Sequence, residues 1–424
     1  MQMIRRVYRS KLQVAILVFV FLAFAVSLSM NVVVTGASVY VPVGQSIQEA
    51  INNAVDGDTI IVQNGIHAEA QYPVVVNKSV TLVGQDSVES VINGNGTNRG
   101  ILLVKANGAR VFNLTIQNTT ENFAVCGISL GDVKFVQVDG CILSNCGSGI
   151  GLTNSSENNI TRNNIVNNKS FGVYLHATSS LNVFSGNNVT ANPTGINIAD
   201  TLCQHNMFYH NNFVANTNQQ SGSGMSNGWD YGYPSGGNYW DDHTNEDLYS
   251  GIGQNLTGSD GIADASYNDR DMYPLAELVH VFYMYEWNQL DYYAFVSSNS
   301  PILDFQFDSN VDKGVVFKVM GFVGGGNCCR VVLPKSIMWV ESDESWIVTV
   351  NGTAPPASPL ILEDAYNSYF FLLYSDGTQV IRIRGTHVVT EYSLLALALL
   401  LAFSVAGLIL VMESKEHAGL VAAS

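Results

Sequence analysis

Between residues 127 and 198 one short phrase returns four times, as Gly127-Ile128-Ser129-Leu130, Gly149-Ile150-Gly151-Leu152, Gly172-Val173-Tyr174-Leu175 and Gly195-Ile196-Asn197-Ile198. The steps are 22, 23 and 23 residues. A fixed period in this range is the mark of a solenoid, in which each repeat buries its apolar face only against its neighbours. A second apolar column runs Ile142, Ile165, Val189 and Phe213, each followed three residues later by Asn145, Asn168, Asn192 and Asn216. A third runs Phe112, Val136, Ile160, Val183 and Met207. Three columns per period predict three short strands per turn, alternating apolar inward and polar outward. A coil that climbs one strand spacing per turn satisfies its backbone in parallel ladders, with Asn and Gly at the corners. Leucine-rich repeats share the period but need a Leu-x-x-Leu-x-Leu pattern, and propeller blades need about 40 residues.

The predicted fold is therefore all-β: a right-handed parallel β-helix of about seven to nine rungs between Asp58 and Asn216. Ser46 to Ala54 reads as a short amphipathic helix capped by Ser46, with Glu49 three residues on, covering the open end of the core. Strands are expected at 59–62, 74–76, 80–83, 101–104 and 111–116. From Leu278 the pattern changes to eight alternating strands with Asn351-Gly352 and Asp376-Gly377 turn signals, which predicts a small β-sandwich.

Both ends carry membrane signals. Arg5, Arg6, Arg9 and Lys11 precede an apolar run from Leu12 to about Met30, the pattern of a secretion signal with a cleavage point near Ala37, or of an uncleaved anchor. Tyr392 to Met412 is 21 residues without a charge, long enough for a transmembrane helix. The expected organisation is a signal or anchor (1–37), a β-helix (38–276) with an acidic closing loop (229–276), a sandwich (277–388), a single span (389–412) and a cytoplasmic tail (413–424). That places a cell-surface ectodomain on a membrane, with the sandwich spacing the solenoid above it. Ten Asn-x-Ser/Thr sequons agree with an outside address: Asn77, Asn95, Asn113, Asn118, Asn154, Asn159, Asn168, Asn188, Asn255 and Asn351.

Nineteen basic against 35 acidic residues give a net charge of −16, without the basic stripe that a nucleic-acid binder needs. Six cysteines without paired CxxC motifs argue against structural zinc.

Two groups of residues match a known family. The opening Ser46-Ile47-Gln48-Glu49-Ala50-Ile51, Asp56-Gly57-Asp58-Thr59-Ile60 and Lys78-Ser79-Val80-Thr81-Leu82-Val83-Gly84 resembles the start of pectate-lyase-like and NosD-type β-helix proteins. The family's Gly-x-Tyr-x-Glu stands here as Gly65-Ile66-His67-Ala68-Glu69, with His67 in place of the aromatic. The close, Gly237-Asn238-Tyr239-Trp240-Asp241-Asp242, Asp260-Gly261-Ile262-Ala263-Asp264 and Asp271-Met272-Tyr273-Pro274-Leu275, resembles the end of many NosD-type helices, with Ala263 where relatives carry Gly. The segment after 330 resembles stalk-proximal sandwiches of archaeal surface proteins.

The resemblance implies carbohydrate chemistry or copper handling. A lyase or hydrolase needs grouped carboxylates, yet between Thr97 and Asn216 the acids are only Glu121, Asp132, Asp139, Glu157 and Asp200, and only Asp132 and Asp139 are placed to meet across rungs. No catalytic constellation follows. Outward aromatics at Tyr174, Tyr209, Trp229, Tyr231, Tyr233, Tyr239 and Trp240 offer stacking platforms for sugar rings. Twenty-two of the 35 acids lie between Trp229 and Glu391; Asp241, Asp242, Asp260, Asp264, Asp269 and Asp271 are the calcium candidates. His205, Met207 and His210, near Cys203 and His176, are the copper candidates. The leading expectation is a non-catalytic, surface-anchored protein that binds glycans or cell-envelope polymers; the alternatives are a lyase or epimerase and a metal-handling factor.

Overall fold

The structure is a computed structural model that describes residues 36–389 apart from 225 and 311–312. The apolar runs 12–30 and 392–412 lie outside the described residues, among which no helix is long and apolar enough to cross a membrane.

Residues 38–240 coil into a parallel β-solenoid of about eight turns built from three sheets, of eight, seven and eight strands. Consecutive strands of each sheet come from consecutive turns, all parallel, so Ile128, Ile150, Val173 and Ile196 stack in one file, and Leu130, Leu152, Leu175 and Ile198 in the next. Both files are fully buried. The Gly-aliphatic-x-aliphatic repeat is thus the inner face of the seven-stranded sheet, as expected.

The other two columns slip by one residue at several rungs. In the first eight-stranded sheet the inward file is Val111, Val138, Ile160, Phe184 and Phe208. Only Ile160 of the five expected residues stands in it, and Met207 is half-buried beside Val183. In the remaining sheet Leu143, not Ile142, lines up with Ile165, Val189 and Phe213. A one-residue slip moves a side chain to the other face. Here the half-buried outer positions also carry apolar residues, so hydropathy alone did not choose between neighbours.

Three files of buried asparagine run along the axis: Asn158–Asn182–Asn206–Asn227, Asn163–Asn187–Asn211–Asn238, and Asn168–Asn192–Asn216. After the first member of each file, the Oδ1 accepts from the backbone N–H and from Nδ2 of the asparagine one turn before, and each Nδ2 also donates to a carbonyl. The third file begins at the Cys146 N–H rather than at Asn145, which instead sits at φ 53° and bonds Asn118. Buried amides are stable only when fully paired. The file position of Asn168, 2% exposed, removes it from the glycosylation candidates.

The helix Ile47–Asn53 closes the first turn, with Ser46 Oγ accepting from the Glu49 N–H at 3.2 Å. Glu69 completes the cap, accepting from Ser46 Oγ (2.7 Å) and the Ile47 N–H (2.5 Å). His67 points inward, buried, with Nε2 against the Gln63 carbonyl at 2.8 Å.

At the far end Trp240 lies between the Phe213 ring (centroids 4.3 Å) and the Tyr267 ring (4.2 Å). Asp271 accepts from the Asn238 N–H (2.8 Å) and Trp240 Nε1 (2.9 Å). Gly237 is required there, since a Cβ would stand 2.0 Å from an Asp271 oxygen.

Beyond residue 278 a five-stranded and a four-stranded antiparallel sheet share one buried cluster that includes Phe317, Val331, Phe370 and Ile381. All eight expected strands are present, and Leu360–Glu363 adds one more to the five-stranded sheet. The pair of sheets packs against the flank of the solenoid. Its first hairpin, Val279–Trp287 and Leu290–Ser298, runs back along the solenoid flank. Val279 exchanges two 2.8 Å hydrogen bonds with the Asn212 side chain, and Phe295 meets the His210 ring at 5.0 Å. One turn earlier a side chain at Gly186 would touch Val281 and Phe295. One turn earlier again the Arg162 guanidinium lies 3.5 Å from the Tyr293 ring centre. Arg330 completes the junction, buried, donating to the Pro234 and Ser235 carbonyls.

Candidate glycan-facing site

The repeat glycine governs which side chains reach the outer face of the seven-stranded sheet. A Cβ on Gly172 would lie 2.6 Å from the Gly195 carbonyl oxygen one turn on, so only glycine lets successive turns approach there. Phe171 and Tyr174 share the outward face although they are three residues apart, while Val173 and Leu175 point into the core.

On this strand, Phe171–His176, three rings form a rail. Phe171 and Tyr174 are near-parallel with centroids 5.5 Å apart, and Tyr174 and His176 likewise at 5.9 Å. Phe123, from the loop before the Cys126–Gly131 strand, stands edge-on to Tyr174 at 5.5 Å and tilted over Phe171 at 6.0 Å. It remains 46% exposed.

Small and polar positions flank the rail. Tyr174 has Gly151 below it and Asn197 above, and Asn197 Nδ2 donates to Ser221 Oγ at 2.7 Å. Thr153 lies below His176, whose Nε2 is 3.5 Å from an Asp200 carboxylate oxygen. Partial burial, and then the Asp200 charge, hold the Tyr174 phenol above its usual pKa. It is a neutral hydroxyl at physiological pH. Half-exposed aromatic faces beside amides and hydroxyls suit a ligand with apolar C–H faces and a polar rim.

Of the other expected platforms, Trp229 and Trp240 are core residues, 3% and 1% exposed, because the last turn needs large rings to close the core. Tyr231 is exposed and half-buried Tyr209 packs on it, centroids 4.9 Å apart. Tyr233 and Tyr239 are half-buried. Phe123, Phe171 and His176 were not singled out as platforms in the sequence. The signal was available for the latter two, since they flank Tyr174 in the same repeat; Phe123 arrives from a loop that no periodicity locates.

The two acids placed to meet across rungs are held in separate ion pairs: Asp132 bonds Lys105 at 2.7 Å and Asp139 bonds Arg162 at 2.5 Å.

Nor do the calcium candidates converge. Asp241 accepts from the Ala215 N–H and from Gln219, and Asp242 from the Tyr267 hydroxyl. Asp264 accepts from the Leu248 and Tyr249 N–H groups, and Asp260 from that of Ile262. Asp271 serves the closing turn and Asp269 is exposed. Among the described residues no group of three His, Cys, Asp or Glu side chains could hold a metal ion. These carboxylates order an irregular loop by accepting from backbone amides.

Residues 51–245 match the family model described as periplasmic copper-binding protein (NosD). Over these residues the chain is similar to that family. The match covers just under half of the chain. Among solved structures, an alginate lyase from Paenibacillus sp. str. FPU-7 is similar at 18% identity over 45% of this chain and 75% of the lyase, TM-score 0.37. A PL6-family alginate lyase is similar at 16% identity over 45% of this chain and 31% of its own length, TM-score 0.34. The Dettilon tailspike protein is similar at 12% identity over 82% and 94%, TM-score 0.29. No curated protein matches the chain.

Among the described residues, the chain's own donors do not gather for the copper in that family's description. His205 is exposed at φ 58°, Met207 is half-buried on the rung beside Val183, and His210 is buried with Nε2 on the Ser235 carbonyl at 2.9 Å. Burial pushes His210 down to about 4, so it is neutral at physiological pH. Cys203 is a buried thiol whose pKa burial raises. Burial likewise pushes the Cys126, Cys141 and Cys146 thiols up to about 12. Copper sites need thiolate or imidazole donors grouped around one point, and these residues do not supply that arrangement.

Proposed function

We propose that the solenoid is a non-catalytic surface that binds glycan or cell-envelope polymer along the rail of Phe171, Tyr174 and His176 under Phe123. In this reading the β-solenoid and the β-sandwich beside it form an ectodomain held at the cell membrane by the apolar run 392–412. The supporting observation is the rail itself: near-parallel, partly exposed rings on one strand, bordered by Asn197, Ser221 and Thr153. A regular sheet holds those rings without loss of side-chain entropy on binding. The separate ion pairs at Asp132 and Asp139 support binding over bond cleavage.

The test is a glycan array probed with the full chain in detergent, followed by titration of the best ligand. Each stacked ring contributes about 0.5–1.5 kcal/mol, so Tyr174→Ala should weaken binding by roughly 2- to 13-fold, and Phe171→Ala with Tyr174→Ala by more. Unchanged affinity in the double variant removes the rail from the site. Release of unsaturated oligosaccharides would replace binding with a lyase activity.

A further inference from the structure

The face of the four-stranded sheet turned away from the shared core carries a groove of about 530 Å³, separate from the rail. Strand alternation builds its floor. In Gly377–Arg384 the side chains of Gln379, Ile381 and Ile383 are buried, so Val380, Arg382 and Arg384 point outward. The neighbouring edge strand, Ile347–Val350, sets Ile347 beside Arg384 and Thr349 beside Arg382. On the other side Lys318, in the strand Gly314–Gly321, stands beside Val380. Asn351 closes one end: its N–H donates to the Val380 carbonyl at 2.8 Å, and its Oδ1 accepts from the Val380 N–H at 2.9 Å. None of the described residues that line the groove is acidic.

Each cation therefore has an apolar or hydroxyl neighbour: Arg384 with Ile347, Arg382 with Thr349, and Lys318 with Val380. Arg382 and Arg384 are two residues apart on an extended strand, about 7 Å, near enough for both guanidinium forks to reach one carboxylate. Planar forks match carboxylate geometry and hold it through paired hydrogen bonds. Asp304 and Asp308 lie on the far edge strand, Ile302–Asp308, and Asp304 holds Lys318 at 2.7 Å in an exposed pair that contributes little and opens readily.

The charge pattern narrows the ligand. In a chain of net charge −16, three cations on one face attract an anion, but they are too few for the dense phosphates of a nucleic acid. A polymer with widely spaced carboxylates and C–H ring faces between them matches the groove. Its carboxylates meet the arginines, its ring faces lie on Ile347 and Val380, and its hydroxyls meet Thr349. We infer that this groove is a second binding site of the chain, for the carboxylate groups of an acidic polysaccharide. It shares no residue with the rail and stands independently of it.

The experiment titrates the full chain in detergent with hyaluronan and with polygalacturonate, with neutral dextran as the control. The test variant combines Arg382→Gln with Arg384→Gln. The acidic polymers are expected to bind, with an affinity that falls as salt is added, and the double variant to bind them roughly 10-fold more weakly or worse, as for loss of a charge-assisted hydrogen bond. Far-UV circular dichroism checks that the variant is folded. Thr349→Asp, which keeps both arginines and puts a carboxylate among them, should weaken binding in the same direction. No binding of either acidic polymer, or unchanged affinity in both variants, overturns the inference. Dextran binding that the same variants weaken overturns the acidic ligand. Loss of acidic-polymer binding in Phe171→Ala with Tyr174→Ala, while the groove variants keep it, assigns that polymer to the rail and sinks the groove alone. Binding to phosphatidylglycerol vesicles but to neither polymer, lost in the double variant, would make the groove a lipid site and overturn the polysaccharide.

Discussion

The buried asparagine files give the sharpest quantitative prediction, and two adjacent residues provide it. Asn187 is 1% exposed. Its Oδ1 accepts from the Asn163 N–H and Nδ2, both at 3.0 Å, and its own Nδ2 donates to the Ile160 carbonyl at 2.8 Å and to Asn211 Oδ1 at 2.9 Å. Asn188, the next residue, is exposed. Replacing Asn187 by Ala leaves two Asn163 donors without an acceptor in a dry interior, at about 1–3 kcal/mol each. The cavity adds to this, although the neighbouring turns can relax into it. The expected loss is about 3–5 kcal/mol, whereas Asn188→Ala should stay within about 0.5 kcal/mol. Urea unfolding of the detergent-solubilised chain, followed by far-UV circular dichroism, reads both. Tryptophan emission adds a second probe, since Trp229 and Trp240 sit at the end of the same files. Because a solenoid couples mainly nearest neighbours, the two probes are expected to separate in Asn187→Ala. Equal midpoints for the two variants would refute the idea that the amide files hold the core together.

Arg330→Met removes a buried guanidinium that donates to the Pro234 and Ser235 carbonyls and lies 5.1 Å from the Tyr369 ring. Breaking such a buried charged contact costs about 3–5 kcal/mol, and hydrogen exchange should rise first in residues 230–236. A variant as protected there as the parent would show that the hairpin alone holds the junction. Burial raises the Asp271 carboxyl to about 7 despite its three N–H donors, from Asn238, Trp240 and Tyr273. A folded value above the unfolded one means the penalty is absent below about pH 4 and complete above pH 7. Stability of the parent relative to Asp271→Asn should therefore fall as pH rises through that window. A difference that is flat from pH 4.5 to 8 would mean the carboxylate is ionised in the fold throughout.

Much of the solenoid was legible in the sequence because glycine and asparagine are chemically constrained positions. Gly127, Gly149, Gly172 and Gly195 recur where the next turn's backbone leaves no room for a Cβ, and that necessity is written into the repeat. The capping helix was legible for the same reason, since Ser46 is a strong N-cap. The phase of the other two columns was not, because Phe112, Ile142 and Val183 are apolar residues at half-buried outer positions. The candidate site was only partly legible. Tyr174 was expected outside and is, but Trp229 and Trp240 look the same in sequence and close the core instead.

What the sequence determined by itself was local and periodic: a parallel solenoid with three strands per turn, a helix over its first turn, and an antiparallel pair of sheets after residue 278. What only the tertiary structure decided depends on contacts between residues far apart in the chain. The long-range register chose which of two adjacent apolar residues faces inward, and the Phe123 loop turned Tyr174 from a lone ring into part of a rail. The fold of the last hairpin against Arg162, Gly186 and Asn212 sends the chain back toward its start. No local pattern carries that direction, because it arises from packing one finished surface against another.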